Sequence, residues 1–143
     1  MPVKRFLFVC VENANRSQMA EAWCRGLGGE AVEAFSAGSR PSGKVNSKAI
    51  ESMREIGFDL GAHRSGGFEE LPDTSFDVVV TMGCGDACPA VPAGEVVEWD
   101  IPDPRDMDPE AFAAVRDRIG RDVESLLRRQ GVEPSRRAIG SRS

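Results

Sequence analysis

The sequence predicts an α/β fold, a three-layer sandwich in which helices cover both faces of a parallel β-sheet. Short apolar runs at residues 4–10 and 76–81 have the length and side chains of buried strands. Segments with apolar residues at helical spacing separate most of the strand-like runs. Right-handed crossovers between such strands make them parallel and place helices on both faces.

The first half of the chain is predicted to contain two strands and two helices. The strand at residues 4–10 is expected to be central because both of its faces are apolar. A helix follows it and ends at the glycine pair 28–29, and a second strand starts at Ala31. Asn46 is a good N-cap for a second helix, which closes at Gly57. The apolar stripes of the two helices are Met19, Ala20, Trp23, Cys24 and Leu27, then Ala49, Ile50, Met53 and Ile56.

The second half is predicted to add two strands and a long helix. Residues 76–81 form an internal strand, whereas the charges in residues 95–99 place that strand at an edge. Asp108 as N-cap and Pro109 at the first helical position open the last helix. A short helical turn is expected at residues 68–71. The buried face of the last helix comprises Phe112, Val115, Ile119, Val123, Leu126 and Leu127.

Length and charge limit the classes of function. The 143 residues suit one domain, predicted at 1–129, followed by a mobile basic tail at 130–143. A net charge of −5 argues against a nucleic-acid or anionic-membrane surface. The chain shows neither a signal-peptide pattern nor a long apolar run, so we expect a cytoplasmic protein. In that compartment its four cysteines indicate catalytic or redox thiols before structural disulfides.

The stretch from Cys10 to Ser17 joins the first strand to the first helix and has the arrangement of an oxyanion-binding loop. Loop N–H groups and the helix dipole would point at an anion, and the same field favours a thiolate at Cys10. Arg16 can offer a planar pair of donors, and Ser17 can donate to the thiolate. The alternative is a buried cysteine that merely ends a strand. Between the cysteine and the arginine lie Val11, Glu12, Asn13, Ala14 and Asn15.

Three chemical segments follow the carboxyl ends of predicted strands, where α/β sheets bind ligands. They are the loop after Cys10, the segment after Thr81 with Cys84 and Cys88, and the acidic loop after Trp99. The cysteine pair could instead be inert or form half of a zinc site. Two further residues are expected to be structural. The single histidine, His63, is predicted to make a local hydrogen bond, and Cys24 to pack in the core.

Taken together, these motifs resemble the low-molecular-weight protein tyrosine phosphatase superfamily, and more closely its arsenate reductase branch, over about residues 4–129. The resemblance implies a flavodoxin-like fold with a four-stranded parallel sheet. Two departures favour reductase over phosphatase: Asn15 replaces a second loop cysteine, and Arg105 follows the Asp-Pro where aromatic residues grip phosphotyrosine. The matching stretches are Val9-Cys10 with Asn13, residues 16–22, 36–38, 45–46 with 49–50, 57–60, 81–89 and Asp103-Pro104.

The resemblance implies reduction of arsenate to arsenite. Cys10 would attack arsenic, and Asp103 would act as general acid, with Asp100 as its rival and a solvated turn residue as the alternative reading of Asp103. Cys84 would attack the Cys10 adduct, and Cys88 would then pass the disulfide to an external thiol reductant of the thioredoxin, glutaredoxin or mycothiol type. In related enzymes potassium can bind beside the loop, and the matching residues are Asn13, Glu21 and Ser36.

Other functions stay open at this point. The same loop could hydrolyse phosphomonoesters through a Cys10-phosphate intermediate, or a small thiol could attack the Cys10 adduct directly. A non-catalytic oxyanion sensor is a third possibility. In every case the expected partners are an arsenate- or phosphate-like oxyanion and, for reduction, a small redox protein or a low-molecular-weight thiol. No tightly bound cofactor is expected.

Overall fold

The structure is a computed structural model that describes residues 3–61, 63–72, 75–83 and 93–134. Within these ranges the chain forms a parallel sheet of four strands in the order β2-β1-β3-β4, together with three α-helices and two single 3-10 turns. The predicted α/β class is therefore confirmed. The elements are β1 (Lys4–Cys10), α1 (Arg16–Gly28), a 3-10 turn (Gly29–Ala31), β2 (Val32–Gly38), α2 (Ser47–Arg54), a 3-10 turn (Phe68–Glu70), β3 (Phe76–Thr81), β4 (Ala93–Glu98) and α3 (Pro109–Arg129).

The strand order confirms that β1 is central and that β4 lies at an edge. β1 pairs with β2 along its whole length, which sets Cys10 opposite Gly38. On its other side β1 pairs with β3, so Val9 lies opposite Thr81. Because the strands are parallel, the loops that follow their carboxyl ends lie at one end of the sheet. β4 starts at Ala93, two residues before the predicted start, because Ala93 already pairs with Phe76 despite its low strand propensity.

Apolar residues cover both faces of the sheet. On one face Phe6, Phe8, Val78 and Val80 pack in a cluster with the buried residues of the three α-helices. On the other face Leu7, Val9 and Val79 form a second cluster, against which Phe68 and Leu71 of the 3-10 turn region pack. Within the described residues, α1, α2 and α3 all contribute to the first cluster, and the 3-10 turn region covers the second face.

The starts of α2 and α3 follow the predicted capping residues, whereas α2 ends at Arg54, before the predicted Gly57. The Asn46 side chain accepts a hydrogen bond from the Lys48 N–H, and Asp108 accepts one from Ala111 N–H with Pro109 at the helix start. α1 differs, since it begins at Arg16 without a side-chain cap. Its first N–H groups are therefore left for another acceptor, in agreement with an anion site. None of the helices in the described part of the chain is long and apolar enough to cross a membrane.

α1 is held close to α3 by an aromatic contact. A Cβ atom at Gly120 would lie 2.5 Å from ring atoms of Trp23, so the glycine allows the ring to lie against the helix backbone. The indole N–H of Trp23 donates to the carbonyl of Arg116 at 3.0 Å. This contact anchors the helix whose first turn carries Arg16 and Ser17.

The chain after α3 turns back toward the core. Gly131 has φ 82, and the N–H of Val132 returns to the Leu127 carbonyl at 2.8 Å. Val132 is buried against the core cluster. The fold therefore extends to about Val132, and residues 135–143 lie outside the described ranges.

Candidate functional site

Cys10 lies at the end of β1 and is almost fully buried, with 2% of its surface exposed. Its Sγ is 2.9 Å from the Oγ of Ser17, in the first turn of α1. A hydroxyl at this distance can donate to the sulfur when the thiol is ionised, because a thiolate can only accept. The predicted pairing of Cys10 with Ser17 is present in the structure.

Asn13 orients the Ser17 hydroxyl. Its Oδ1 accepts N–H bonds from Gly66 at 2.9 Å and from Gln18 at 3.0 Å, so its Nδ2 is turned to Ser17 Oγ at 2.7 Å. Asn13 has φ 53, the one positive φ among the described non-glycine residues. Asparagine tolerates this left-handed conformation better than most side chains do. The result is a chain of hydrogen bonds from Gly66 through Asn13 and Ser17 to Cys10.

Gln18 and His63 extend the hydrogen-bond chain beyond Asn13. Three carbonyl oxygens surround the Gln18 Nε2, two from Asn13 and one from Arg64, at 3.0 to 3.1 Å. The Gln18 Oε1 therefore faces His63 Nδ1 at 2.9 Å, and this ring nitrogen must carry the proton. His63 thus makes a hydrogen bond, as predicted, but its partner lies 45 residues away in sequence and is not local. Gln18 had received no role, because its partners lie up to 46 residues away in sequence.

The backbone of the loop presents N–H groups to the cleft. The carbonyls of Cys10, Val11, Glu12 and Ala14 accept hydrogen bonds at 2.8 to 3.1 Å from N–H groups of residues 39–46. In a trans peptide the N–H points opposite to the C=O. The N–H groups of the next residues along the loop therefore point away from residues 39–46, as an oxyanion cradle requires.

Arg16 is held at the mouth of this cradle. It is 8% exposed, and one guanidinium nitrogen, Nη1, donates to the Ile101 carbonyl at 3.0 Å. The same nitrogen lies against Gly83, where an added Cβ would be 2.7 Å away. Gly83 has φ 87, a conformation that also favours glycine. Gly83 therefore leaves room for the arginine.

Asp103, and not Asp100, lines the cleft that holds Cys10. This small cleft is bounded by Cys10, Glu12, Ala14, Asn15, Arg16 and Asp103. The Asp103 Oδ2 is 4.0 Å from Arg16 Nη2, and its Oδ1 accepts from the Arg105 N–H at 3.1 Å. The carboxyl group is about half-exposed, so it can exchange protons with solvent. The geometry favours Asp103 among the two candidate acids.

Two side-chain contacts that the sequence did not suggest tie the acidic loop to its surroundings. Arg105 Nη1 is 2.8 Å from a carboxylate oxygen of Glu12 in the oxyanion loop. Lys48 Nζ donates to the carbonyl of Arg105 at 2.9 Å. These residues lie 93 and 57 positions apart in sequence, so no local pattern could indicate the contacts.

Of the residues matched to a potassium site, Ser36 and Glu21 contact each other, and all three already have hydrogen-bond partners. Ser36 Oγ donates to Glu21 Oε1 at 2.5 Å, and Arg25 Nη2 lies 2.7 Å from the other oxygen of Glu21. Asn13 Oδ1 accepts from two N–H donors, as described above. A potassium ion would have to replace some of these donors, and the site stays a prediction.

The remaining cysteines divide into two groups. Cys84 and Cys88 lie outside the described residues, so their predicted relay is not tested by the structure. Cys24 is fully buried, and burial, followed by the charge of Glu21, raises the pKa of its thiol. A protonated, enclosed thiol of this kind is unreactive, which agrees with the packing role predicted for Cys24.

Comparison with known proteins gives the family. A family model described as low molecular weight phosphotyrosine protein phosphatase matches residues 5–136. Arsenate reductase 2 of Staphylococcus saprophyticus is 39% identical over 130 residues, covering 88% of this chain and 98% of that protein.

Solved structures agree with this match. An arsenate reductase in a phosphate-binding state superimposes with a TM-score of 0.79 at 31% identity, over 89% of this chain and 98% of that one. A thioredoxin-dependent arsenate reductase of Corynebacterium glutamicum has a TM-score of 0.74 at 31% identity, over 89% of this chain and 61% of that one. The chain belongs to the low molecular weight phosphotyrosine protein phosphatase family and, within it, to the arsenate reductase branch.

Proposed function

We propose that the protein reduces arsenate to arsenite, with the Cys10 thiolate as nucleophile in the loop of residues 10–17. The observation that carries the proposal is the hydrogen-bond chain that ends on Cys10 Sγ, with Ser17 Oγ at 2.9 Å and Asn13 behind it. Such a chain stabilises a thiolate, because every member is already oriented to donate toward the sulfur. The similarity to arsenate reductases supports arsenate as the oxyanion.

The first step exchanges one oxygen of arsenate for sulfur. Loop N–H groups and the Arg16 guanidinium hold the tetrahedral anion and stabilise charge on its oxygens. The Cys10 thiolate forms an S–As bond while one As–O bond breaks. Asp103 gives its proton to the departing hydroxyl group of arsenate, which leaves as water. Arsenic is still in the +5 state after this step.

The second step supplies the electrons. A second thiolate attacks the Cys10 sulfur, a disulfide forms, and the electron pair of the S–As bond stays on arsenic, which leaves as arsenite. Two thiolates are thereby oxidised and one arsenic is reduced by two electrons. We assign the second thiolate to Cys84, and Cys88 then attacks Cys84 and frees Cys10. Gly83 lies against Arg16, so the segment that carries Cys84 starts at the site, which supports this assignment.

An external thiol closes the cycle by reducing the Cys84–Cys88 disulfide. One structural relative is thioredoxin-dependent, which supports a protein reductant of that kind, with glutaredoxin or a low-molecular-weight thiol such as mycothiol as the alternatives. Each of these reductants needs a reducing compartment, in keeping with the cytoplasmic location expected from the sequence.

Phosphomonoester hydrolysis is the second candidate function. It needs the same loop and the same acid, and one structural relative is an arsenate reductase in a phosphate-binding state, which supports phosphate as a ligand. In that reaction water, and not a thiol, would attack the Cys10 adduct. Arg105 in place of an aromatic side chain after Asp103-Pro104 makes this activity the weaker one for phosphotyrosine.

The test counts thiols in fully reduced protein after arsenate is added without an external reductant. The expected result is loss of two thiols per chain with an equal amount of arsenite, and a Cys84–Cys88 disulfide in the peptide map. The variants Cys10→Ser and Cys84→Ser should release no arsenite, whereas the matched control Cys24→Ser should behave like wild type. Unchanged thiols in every sample would contradict the relay, and added small thiol would then show whether arsenite is formed by direct attack.

A further inference from the structure

We propose that the ion pair between Glu12 and Arg105 is a specificity determinant that favours free oxyanions over phosphomonoesters and arylphosphonates at the Cys10 site. The inference rests on the proposed function, since it concerns which substrates reach the same nucleophile. It is carried by the position of the pair, which joins the oxyanion loop to the loop of the general acid.

The pair lies across one side of the small cleft. Glu12 belongs to the lining of that cleft, and Asp103 forms another part of the lining, two residues before Arg105. The 2.8 Å contact between Arg105 Nη1 and Glu12 therefore links two walls of the cleft from outside. The backbone of Arg105 is held independently, by Asp103 Oδ1 at its N–H and by Lys48 Nζ at its carbonyl. The Arg105 side chain can thus move while the acidic loop stays in place.

A second, wider cleft begins where the small one ends. Its lining includes Glu12, Ala14 and Asn15, which also line the small cleft, and it adds Arg105 and Lys48. Arg105 is absent from the lining of the small cleft and present in that of the wide cleft, so the ion pair lies at the boundary between the two.

The ion pair at this boundary should affect free oxyanions less than esters and arylphosphonates. Arsenate and phosphate are compact tetrahedra that need only the cradle and Arg16. An ester or arylphosphonate carries an organic group on one corner, and the wide cleft is the adjacent space that can take it. In this proposal, an organic group that extends into the wide cleft separates Glu12 from Arg105, because both residues line that cleft. Both side chains are about half-exposed, so their attraction is modest and the discrimination should be modest too.

A purely electrostatic role of the two residues predicts different changes in anion affinity from a steric role. Replacing Glu12 removes a negative charge beside the anion, which should tighten binding of all oxyanions, and replacing Arg105 should weaken it for all of them. Replacing either residue also removes the ion pair at the boundary between the two clefts. The ratio of affinities for two anions of similar charge, one with and one without a ring, cancels the general charge effect and leaves the effect of the boundary.

The test measures the binding of inorganic phosphate and of phenylphosphonate by calorimetry. We expect the affinity for phenylphosphonate, divided by that for phosphate, to rise about two- to fivefold in both Glu12→Gln and Arg105→Gln, as the usual strength of an exposed ion pair allows. The charge-exchanged double variant Glu12→Arg with Arg105→Glu should bring the ratio back toward the wild-type value. Arg5→Gln is the matched control, because Arg5 and Glu33 form a pair of the same 2.8 Å length and similar exposure elsewhere.

The outcomes separate this inference from the proposed function. An unchanged ratio in either single variant, or no return in the double variant, overturns the role of the pair. Arsenite production with added thiol is followed in the same proteins. If wild-type protein produces no arsenite, arsenate reduction is contradicted. The affinity ratios would still decide whether the Glu12–Arg105 ion pair selects free oxyanions.

Discussion

The Ser17 hydroxyl oxygen lies 2.9 Å from the Cys10 sulfur and 2.7 Å from the amide nitrogen of Asn13. Because Asn13 donates to one side of the hydroxyl, the Ser17 proton is free to point at the thiolate on the other side. Replacing Ser17 by Ala should therefore slow alkylation of Cys10 by iodoacetamide at neutral pH about tenfold, the effect of one hydrogen bond to a charged group. Peptide mass spectrometry distinguishes Cys10 from the other thiols, and Ser52→Ala serves as a control in another helix.

Asn13→Asp tests the direction of the hydrogen bonds. Aspartate keeps an acceptor for the Gly66 and Gln18 donors but cannot donate to Ser17. The Ser17 proton would then turn to the new carboxylate and leave the sulfur. We expect Cys10 in this variant to alkylate as slowly as in Ser17→Ala, with no further loss when the two changes are combined. An additive loss would mean that Asn13 acts on Cys10 by another route.

Gly83→Ala should weaken oxyanion binding through Arg16. The new methyl group would lie 2.7 Å from Arg16 Nη1, so the guanidinium must shift from its place beside the Ile101 carbonyl. We expect phosphate affinity, measured by calorimetry, to fall about tenfold, as for one lost charge-assisted hydrogen bond. Gly131→Ala is the control for backbone strain, because Gly131 also has positive φ but nothing lies within 4 Å of the added atom. Equal losses in both variants would assign the effect to strain alone.

Asp103→Asn should lower the rate of the first chemical step without lowering affinity for the anion. The amide still accepts from the Arg105 N–H but has no proton for the departing oxygen. A loss of about 10²-fold in single-turnover arsenite formation is expected for a missing general acid. Phosphate should bind at least as tightly, since a negative charge 4.0 Å from Arg16 is removed. Asp100→Asn should leave both quantities near wild type, and the reverse pattern would make Asp100 the acid.

Cys24 should make the fold less stable at alkaline pH. Burial raises the pKa of this thiol above its ordinary value of 9.0, so the folded protein keeps the proton where the unfolded chain releases it. Above about pH 9 the unfolded state therefore binds fewer protons than the folded state. As a result, the free energy of unfolding falls as pH rises above about 9, by up to about 1.4 kcal/mol per pH unit. The stability advantage of wild type over Cys24→Ala, measured by urea unfolding, should therefore shrink between pH 8 and pH 10. A constant difference would contradict a buried, protonated thiol.

Much of the fold and part of the site were predictable from the sequence because their signals are local. The apolar run before Cys10, the caps at Asn46 and Asp108, and the Asp-Pro pair at 103–104 each depend on a few neighbouring residues. The contacts between Gly83 and Arg16, Gln18 and His63, and Glu12 and Arg105 depend on how distant segments pack. Nothing in the spacing of those residues indicates their partners.

The backbone of the oxyanion loop is fastened mainly by main-chain groups, because the carbonyls of Cys10, Val11, Glu12 and Ala14 all bond to N–H groups of residues 39–46. The half-exposed side chain at position 12 can therefore be exchanged without rebuilding the cradle. A designer could alter the entrance at Glu12 and keep the reactive centre at Cys10 intact. A proline at position 39, 40, 42 or 46 lacks the N–H and would remove one of the hydrogen bonds that hold the loop backbone.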